Sequence, residues 1–192
     1  MTGVSGIVLA GGQGRRMGGV DKGLQLLRGK PMVQWVLGRL EPQVDEVLIN
    51  ANQNLQAYAR FAHRVVTDEV AGFAGPLAGL ASGMKATRQP LVVTVPCDSP
   101  FLPFDLVARL RSGMDASTAD LAVAKTGTQP HPVFAMVRRS LLANLEAFLA
   151  SGGRKIDAWY APLAIVEVLF DDQPEAFSNI NTRDELAEFE KR

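Results

Sequence analysis

A glycine-rich segment near the amino end combines the residue types that bind phosphate. Five glycines fall within residues 11–19, directly after an apolar run that ends at Ala10. Glycine tolerates positive φ and has no Cβ, so backbone N–H groups there can approach a polyphosphate closely. The same segment carries Arg15, Arg16 and Lys22, whose cationic groups bind phosphate oxygens. A solvated surface loop is the alternative interpretation, but the position after an apolar run favours phosphate binding.

A single aspartate, Asp98, follows another apolar run, Leu91–Val95, and lies between Pro96 and Pro100. The two prolines stiffen the backbone on either side of the carboxylate. Magnesium prefers few protein carboxylates, completed by substrate phosphates and water. Asp98 is therefore a candidate Mg²⁺ ligand, and the alternative is a helix cap or an Asx turn.

Two further polar residues stand at the ends of apolar runs. Asn50 follows Glu46–Ile49, and Asp68 follows Arg64–Thr67. Amide and carboxylate groups can bind ribose hydroxyls or the N–H edge of a purine base. The residue types alone do not say which contact each would make, and turns or helix caps are the commoner use of Asn and Asp at such places.

The second half of the chain carries fewer signals. His131 precedes an apolar strand and could contact an anionic acceptor, or it could be an ordinary exposed residue. Asn179 and Asn181 alternate along an extended segment, so both amides would face one side. Thr182 with Glu185 has the spacing of a helix capping box, which is compatible with a binding role for the two asparagines.

Several of these motifs resemble a known superfamily. Leu9-Ala10-Gly11-Gly12, then Arg16-Met17-Gly18, then Asp21-Lys22, is similar to the signature loop of the nucleotidyltransferases. The Asp-Lys ending and the Pro96–Pro100 segment around Asp98 most resemble the molybdenum cofactor guanylyltransferases. Segments 75–79 and 179–182 are also similar to motifs of that family, and the resemblance runs from Val4 to about Glu188. One departure is Ala74, where the family often has proline.

The resemblance implies that GMP is transferred from GTP to the phosphate of molybdopterin, with Mg²⁺ as cofactor. The residues implied to bind GTP are Leu9, Ala10, Gly11, Gly12, Lys22, Asn50, Asp68 and Asp98. Arg16, Lys22 and Asp98 are expected to be catalytic, with Asp98 as the metal ligand. His131, Asn179 and Asn181 are the candidates for the molybdopterin side. Such a reaction needs no general base, because the attacking phosphate is already anionic.

Two rival functions stay open at this point. The same scaffold serves enzymes that use CTP or a sugar phosphate, and the fold does not distinguish them. A non-catalytic nucleotide-binding protein that delivers the cofactor to a partner is a rival of a different class. The two rivals differ from guanylyl transfer in nucleotide preference and in pyrophosphate release, respectively.

Composition narrows the class of protein. Lys plus Arg and Asp plus Glu are 20 each, so the zero net charge argues against a broad nucleic-acid surface. The single cysteine excludes an internal disulfide, and the amino end lacks the pattern of a signal peptide. No apolar run approaches the ~20 residues of a membrane span. We expect a cytoplasmic protein whose partners, beyond GTP and molybdopterin, could include molybdenum-insertion proteins and molybdoenzyme chaperones.

Strand-like and helix-like patterns alternate along the chain, which is typical of a doubly wound α/β domain with a mostly parallel sheet. The predicted strands are Val4–Ala10, Glu46–Ile49, Arg64–Thr67, Leu91–Val95, Leu121–Ala124, Val133–Val137 and Ile165–Phe170. Apolar stripes predict helices after Pro31, Pro76 and Pro103, another over 141–149, and a last one capped by Thr182. We expect a single domain over 1–192, with GTP and Mg²⁺ bound by about 1–100 and the acceptor by about 101–192. Ligands in such sheets bind beyond the carboxyl ends of the strands.

Overall fold

The structure, a computed structural model, describes residues 3–12, 20–69 and 75–191. The strands are β1 (Val4–Leu9), β2 (Leu26–Leu27), β3 (Lys30–Pro31), β4 (Glu46–Asn50), β5 (Arg64–Val66), β6 (Leu91–Pro96), β7 (Leu121–Thr126), β8 (Gln129–Arg138) and β9 (Ile165–Leu169). The α-helices are α1 (Met32–Leu40), α2 (Leu55–Ala59), α3 (Pro76–Ala86), α4 (Leu106–Asp115), α5 (Leu142–Ala150), α6 (Ile156–Tyr160) and α7 (Arg183–Lys191). No helix of these residues is long and apolar enough to cross a membrane.

Seven strands form one twisted sheet in the order β5-β4-β1-β6-β8-β7-β9, and β2 pairs only with β3. All neighbours in the large sheet are parallel except β8, which is antiparallel to both β6 and β7. The expected mostly parallel α/β fold is therefore confirmed. The strand order runs from β1 to β4 in one direction and to β6 in the other, which puts the topological switch point between β1 and β6.

Helices cover both faces of the sheet. On one face, α1 and α4 pack their buried apolar residues against Val8 of β1 and Val93 of β6. On the other face, α3 and α5 pack against Ile7 of β1 and Val92 of β6. Every residue of β6 is buried, which explains why that strand lacks polar alternation in the sequence.

Most predicted elements are present, with ends that differ by at most four residues. The largest difference is β8, which begins at Gln129 and not at Val133. Its first residues extend beyond the end of β6 and pair only with β7, through the turn at Gly127. The sequence patterns did not indicate α2, α6 or the β2–β3 pair, because five-residue helices and two-residue strands are too short to show a hydrophobic period.

Candidate active site

The predicted polar site residues that the structure describes lie at the carboxyl edge of the central strands. Leu9 of β1 is level with Asn50 of β4 on one side and with Pro96 of β6 on the other. Asn50 and Pro96 are thus about 10 Å apart across β1, from the usual strand spacing. The chain leaves β1 through Gly11 and leaves β6 through Asp98, so both segments emerge at the switch point.

Lys22 links three distant parts of the chain at this edge. Its Nζ donates to Asp98 Oδ2 at 3.1 Å and to Asn181 Oδ1 at 2.5 Å. The Lys22 and Asp98 side chains are only 22% and 10% exposed, which makes this a largely desolvated ion pair. The residues around Lys22, the end of β6 and the segment before α7 therefore converge on one cationic group.

The backbone at Lys22 is held by residues that the sequence analysis missed. The preceding Asp21 accepts hydrogen bonds from the buried Tyr58 hydroxyl at 2.6 Å and from Asn54 Nδ2 at 3.0 Å. Gly23 lies so close to Tyr58 that a Cβ on it would be 2.5 Å from the hydroxyl oxygen. Burial raises the pKa of Tyr58, so the phenol stays protonated and donates to the carboxylate. Tyr58 in α2 and Asn54, which precedes that helix, lie too far from Lys22 in sequence for any local motif to connect them.

Asn50 and Asp68 form a second polar group, joined by another residue that the sequence analysis did not single out. Asn50 Nδ2 and Asn52 Nδ2 donate to the two carboxylate oxygens of Asp68, at 2.8 and 2.7 Å. Asn52 Oδ1 in turn accepts from the Asp68 backbone N–H at 2.8 Å. The closest neighbours of Gly11 are the Asn50 and Asn52 side chains, so this group borders the amino-end loop.

Helix α3 approaches the same group through a glycine. A Cβ on Gly79 would lie 2.3 Å from Asn50 Oδ1 and 2.8 Å from a Leu9 methyl carbon. The helix begins after Gly75, whose φ of +80° is a conformation that favours glycine, and Pro76 occupies its first turn. The two glycines that the family resemblance singled out therefore have local reasons: one starts the helix and the other lets it pack on Asn50.

The segment before α7 folds back across the end of β6. The Ile180 N–H donates to the Asp98 carbonyl at 2.9 Å, and Ser99 Oγ donates to Asn179 Oδ1 at 2.7 Å. The expected capping box is present, because Glu185 N–H donates to Thr182 Oγ1 and Thr182 N–H to Glu185 Oε2, both at 3.1 Å. Asn179 and Asn181 are thus held beside Asp98, in addition to the cap.

His131 lies at the same edge of the sheet, at the amino end of β8, as a neutral ring. Its Nε2 is 2.7 Å from Thr126 Oγ1, and the ring stacks on Phe177 with centroids 4.6 Å apart. Burial lowers the pKa of His131, so it presents a hydrogen-bonding ring and no permanent cation to an acceptor. Contact between His131 and the acceptor stays a prediction.

The Asp98 carboxylate has one oxygen that the described residues leave without a hydrogen bond. Oδ2 faces Lys22, and no hydrogen bond from the described residues reaches Oδ1. No group of three His, Cys, Asp or Glu that could hold a metal by itself occurs in these residues. One carboxylate completed by phosphate oxygens and water suits Mg²⁺, so the residues fit a metal that binds together with a nucleotide.

The remaining candidates divide between backbone positions and a residue outside the described ranges. The Leu9 carbonyl accepts from Cys97 N–H at 3.1 Å, and Ala10 N–H donates to the Asn50 carbonyl at 2.7 Å. These bonds fix the point where Gly11 and Gly12 leave the sheet. Arg16 lies outside the described residues.

The thiol of Cys97, the residue before Asp98, is buried. Burial raises the pKa of this thiol, which keeps it protonated and unsuited to attack a substrate.

A family model described as the MobA-like NTP transferase domain matches residues 6–164. The chain belongs to the MobA-like NTP transferase family. It is 50% identical to the molybdenum cofactor guanylyltransferase of Shewanella amazonensis, covering 98% of this chain and 96% of that protein. It is 52% identical to the protein of the same name from Cupriavidus necator, covering 98% and 97%. The expected family and enzyme class, nucleotidyltransferase, are confirmed.

Solved structures of MobA-like and related proteins share the fold. The molybdopterin-guanine dinucleotide biosynthesis protein A from Archaeoglobus fulgidus has a TM-score of 0.81 and 27% identity, over 97% of both chains. A CMP:2-keto-3-deoxy-manno-octonic acid synthetase, solved in complex with CTP, has a TM-score of 0.70 at 15% identity, over 98% of this chain and 96% of that one. The second likeness shows the fold alone, so the fold does not select the nucleotide.

Proposed function

We propose that this protein transfers GMP from GTP to the phosphate of molybdopterin, releasing pyrophosphate and forming molybdopterin guanine dinucleotide. The observation that carries the proposal is the convergence of Lys22, Asp98 and Asn181 at the switch point of the sheet. The near-full-length relatives named molybdenum cofactor guanylyltransferase supply the choice of nucleotide and acceptor. A CTP or sugar-phosphate enzyme has no observation in its favour beyond the shared fold.

The chemistry is an in-line displacement at the α-phosphorus of GTP. An oxygen of the molybdopterin phosphate forms a bond to that phosphorus, while the bond from the phosphorus to the oxygen between the α- and β-phosphates breaks, and pyrophosphate leaves with that oxygen. The nucleophile is already anionic, so the residues have to position the reactants and stabilise charge. Asp98 would hold Mg²⁺, which neutralises negative charge on the phosphate oxygens.

The residues around Asp98 divide this work. Lys22, together with Arg16, would move its positive charge onto the β- and γ-phosphates and stabilise the leaving pyrophosphate. Gly11 and Gly12 would let the backbone run alongside the phosphates, and Asn50 with Asp68 would bind the nucleoside. Asn179 and Asn181 would bind the pterin, whose rim of donors and acceptors amides can match. The acceptor, bound mainly by about 101–192, would then lie beside Asp98, where the attacking oxygen is required.

The proposal includes the setting of the reaction. A cytoplasmic location is consistent with the single buried cysteine, which suits a reducing compartment. Molybdenum-insertion proteins and molybdoenzyme chaperones are the proposed partners, because the product is a cofactor that has to reach other enzymes.

The test is turnover of a nucleotide panel with isolated molybdopterin and Mg²⁺, followed as pyrophosphate release and dinucleotide formation. We expect GTP to give both products and to be preferred over CTP in kcat/KM. A preference for CTP would reject the guanylyltransferase assignment. GTP binding with no pyrophosphate release would instead support a delivery protein.

A further inference from the structure

A second concave site lies at the opposite edge of the sheet from Asp98. The cavity has a volume of about 540 Å³, and its lining includes Arg88, Leu91, Met114 and Arg138. Leu91 is the first residue of β6, and Arg138 is the last residue of the antiparallel β8. The length of β6 therefore separates this cavity from the switch point, by about 20 Å. No residue of the proposed active site contributes to it.

The rim of this cavity is strongly basic. Three of the residues that line it, Arg88, Arg138 and Arg139, are arginines, and Asp115 is the one acidic residue of this lining. The whole chain has a net charge of zero, so this local excess of positive charge is a feature of the cavity and not of the protein surface in general.

Two of the three arginines are anchored by backbone carbonyls through their inner nitrogen. Arg138 Nε donates to the Ala119 carbonyl at 3.1 Å, and Arg139 Nε donates to the Met84 carbonyl at 2.9 Å. The Arg139 backbone N–H also donates to the Pro90 carbonyl at 2.8 Å. These bonds orient both side chains before any ligand arrives, which lowers the entropy cost of binding.

The outer nitrogens of the three arginines are available to a ligand. Within residues 3–12, 20–69 and 75–191, no hydrogen bond or ion pair engages the terminal nitrogens of Arg88, Arg138 or Arg139. Guanidinium forks bind the oxygens of phosphate in pairs, and several forks can share the three outer oxygens of one phosphate monoester.

The rest of the lining indicates more than a bare anion. Leu91 and Met114 are 7% and 1% exposed and give the cavity an apolar floor. Asp115 can accept a hydrogen bond from a hydroxyl or amino group of the ligand while repelling a second anionic group. The volume lies within the range of about 300–1,000 Å³ that small-molecule sites occupy.

We propose that this cavity binds a phosphate monoester of a small organic molecule, of the size and chemistry of a nucleoside monophosphate. The phosphate would lie among the three arginines, and the organic part would lie over Leu91 and Met114 with a donor group toward Asp115. This inference is independent of the proposed guanylyl transfer, because it uses other residues at the other edge of the sheet.

The test is a titration of the full-length protein with GMP in metal-free buffer, followed by NMR shifts of assigned backbone amides. We expect amides of residues 88–91 and 138–140 to shift together and to saturate with one Kd. The Arg88→Ser/Arg138→Ser double variant should weaken that Kd by about tenfold or more. Arg60→Ser, at an exposed arginine elsewhere, should leave it unchanged. Arg88→Ser alone, at an exposed loop position, repeats the test should the double variant unfold.

Three further titrants identify which chemistry is recognised. Inorganic phosphate should bind more weakly than GMP, and guanosine should not shift these amides. Equal affinity for GMP and inorganic phosphate, or for GMP and guanosine, would overturn the proposed ester. So would shifts caused by an oligoglutamate peptide but not by GMP, which would make the cavity a docking site for acidic peptide. GMP shifts confined to the switch point, or an unchanged Kd in the arginine variants, would remove the site altogether.

Discussion

At the scale of single residues, Lys22 acts as the counter-ion of Asp98 when no nucleotide is present. Its ammonium group lies 3.1 Å from the carboxylate that the proposed function assigns to Mg²⁺. A divalent cation at Asp98 therefore meets a positive charge unless Lys22 turns toward phosphate. Metal and nucleotide should accordingly strengthen each other's binding, since GTP gives Lys22 another anion to pair with.

Replacing Lys22 by methionine should separate these two effects. Without nucleotide, we expect Lys22→Met to tighten Mn²⁺ binding by about tenfold, measured by electron paramagnetic resonance, because the competing cation is gone. The same variant should lower kcat/KM for GTP by about a hundredfold, because a phosphate contact is lost. Lys85→Met, which breaks an exposed ion pair with Glu69 and Glu146, is the matched control. Unchanged or weaker Mn²⁺ binding in Lys22→Met would contradict the counter-ion role.

Residue types and spacing made Lys22 and Asp98 candidates for binding phosphate and metal, and the family resemblance added Asn50 and Asp68 as nucleotide contacts. The same reasoning could not find Tyr58, Asn52 or Asn54. Their function is to hold Asp21 and Asp68, and this depends on the position of α2 and on the turn that precedes it. A buried tyrosine in a five-residue helix has no local signature that distinguishes it from an ordinary core residue.

At the scale of elements, the close approach of α3 to β1 and β4 sets the position of Asn50. The helix packs at Gly79, where a side chain would overlap the Asn50 amide and a Leu9 methyl group. Asn50 also donates to Asp68, so a displacement of the helix is passed on to both nucleoside-binding candidates.

Gly79→Ala should therefore weaken GTP binding more than a Gly→Ala substitution in a helix normally does. We expect a loss of about 1–3 kcal/mol in the free energy of unfolding from overpacking and a several-fold rise in KM for GTP. Gly38→Ala in α1 is the control, because no atom lies within 4 Å of the added Cβ and the φ of Gly38 is not positive. The control should be stabilised by up to about 1 kcal/mol. Equal behaviour of the two variants in denaturation and in KM would reject this account of Gly79.

At the scale of the whole molecule, the site is completed by a segment that comes last in the chain. Ile180 is fully buried against Leu27 and Met32, and its N–H binds the Asp98 carbonyl. This contact brings Asn179 and Asn181 to Lys22 and Asp98, which come from the first hundred residues. A doubly wound sheet makes this possible, because all its parallel strands end at one edge.

Ile180→Ala should loosen the packing of the segment before α7. The lost methyl groups and the remaining cavity are expected to lower the free energy of unfolding by about 2–4 kcal/mol. Hydrogen exchange should become faster across residues 178–189, and KM for molybdopterin should rise more than KM for GTP. Leu169→Ala, at a 53% exposed apolar position in β9, is the control. A variant that raised KM for GTP alone would contradict the assignment of this segment to the acceptor.

The overall architecture was largely predictable, because long apolar runs and amphipathic stripes determine the central strands and the longer helices. The antiparallel direction of β8 was not predictable. Its buried residues, 134–137, are as apolar as those of β6, and the direction is set by the tight turn at Gly127, which no hydrophobic pattern records. The basic cavity was missed for a related reason: Arg88, Arg138 and Arg139 come together only because a loop and a strand end at the same edge.

Label transfer from GTP shows whether Asp98 at the switch point serves guanylyl transfer. GTP labelled at its α-phosphate is incubated with Mg²⁺, molybdopterin and either the wild-type protein or the Asp98→Asn variant. Asp120→Asn, at the opposite edge of the sheet, is the control. We predict that the wild type and the control move the label into molybdopterin guanine dinucleotide, and that Asp98→Asn does so at least about a hundredfold more slowly with unchanged thermal unfolding. Near wild-type transfer by Asp98→Asn would contradict the role of Asp98. The absence of labelled dinucleotide with the wild-type protein would contradict guanylyl transfer itself.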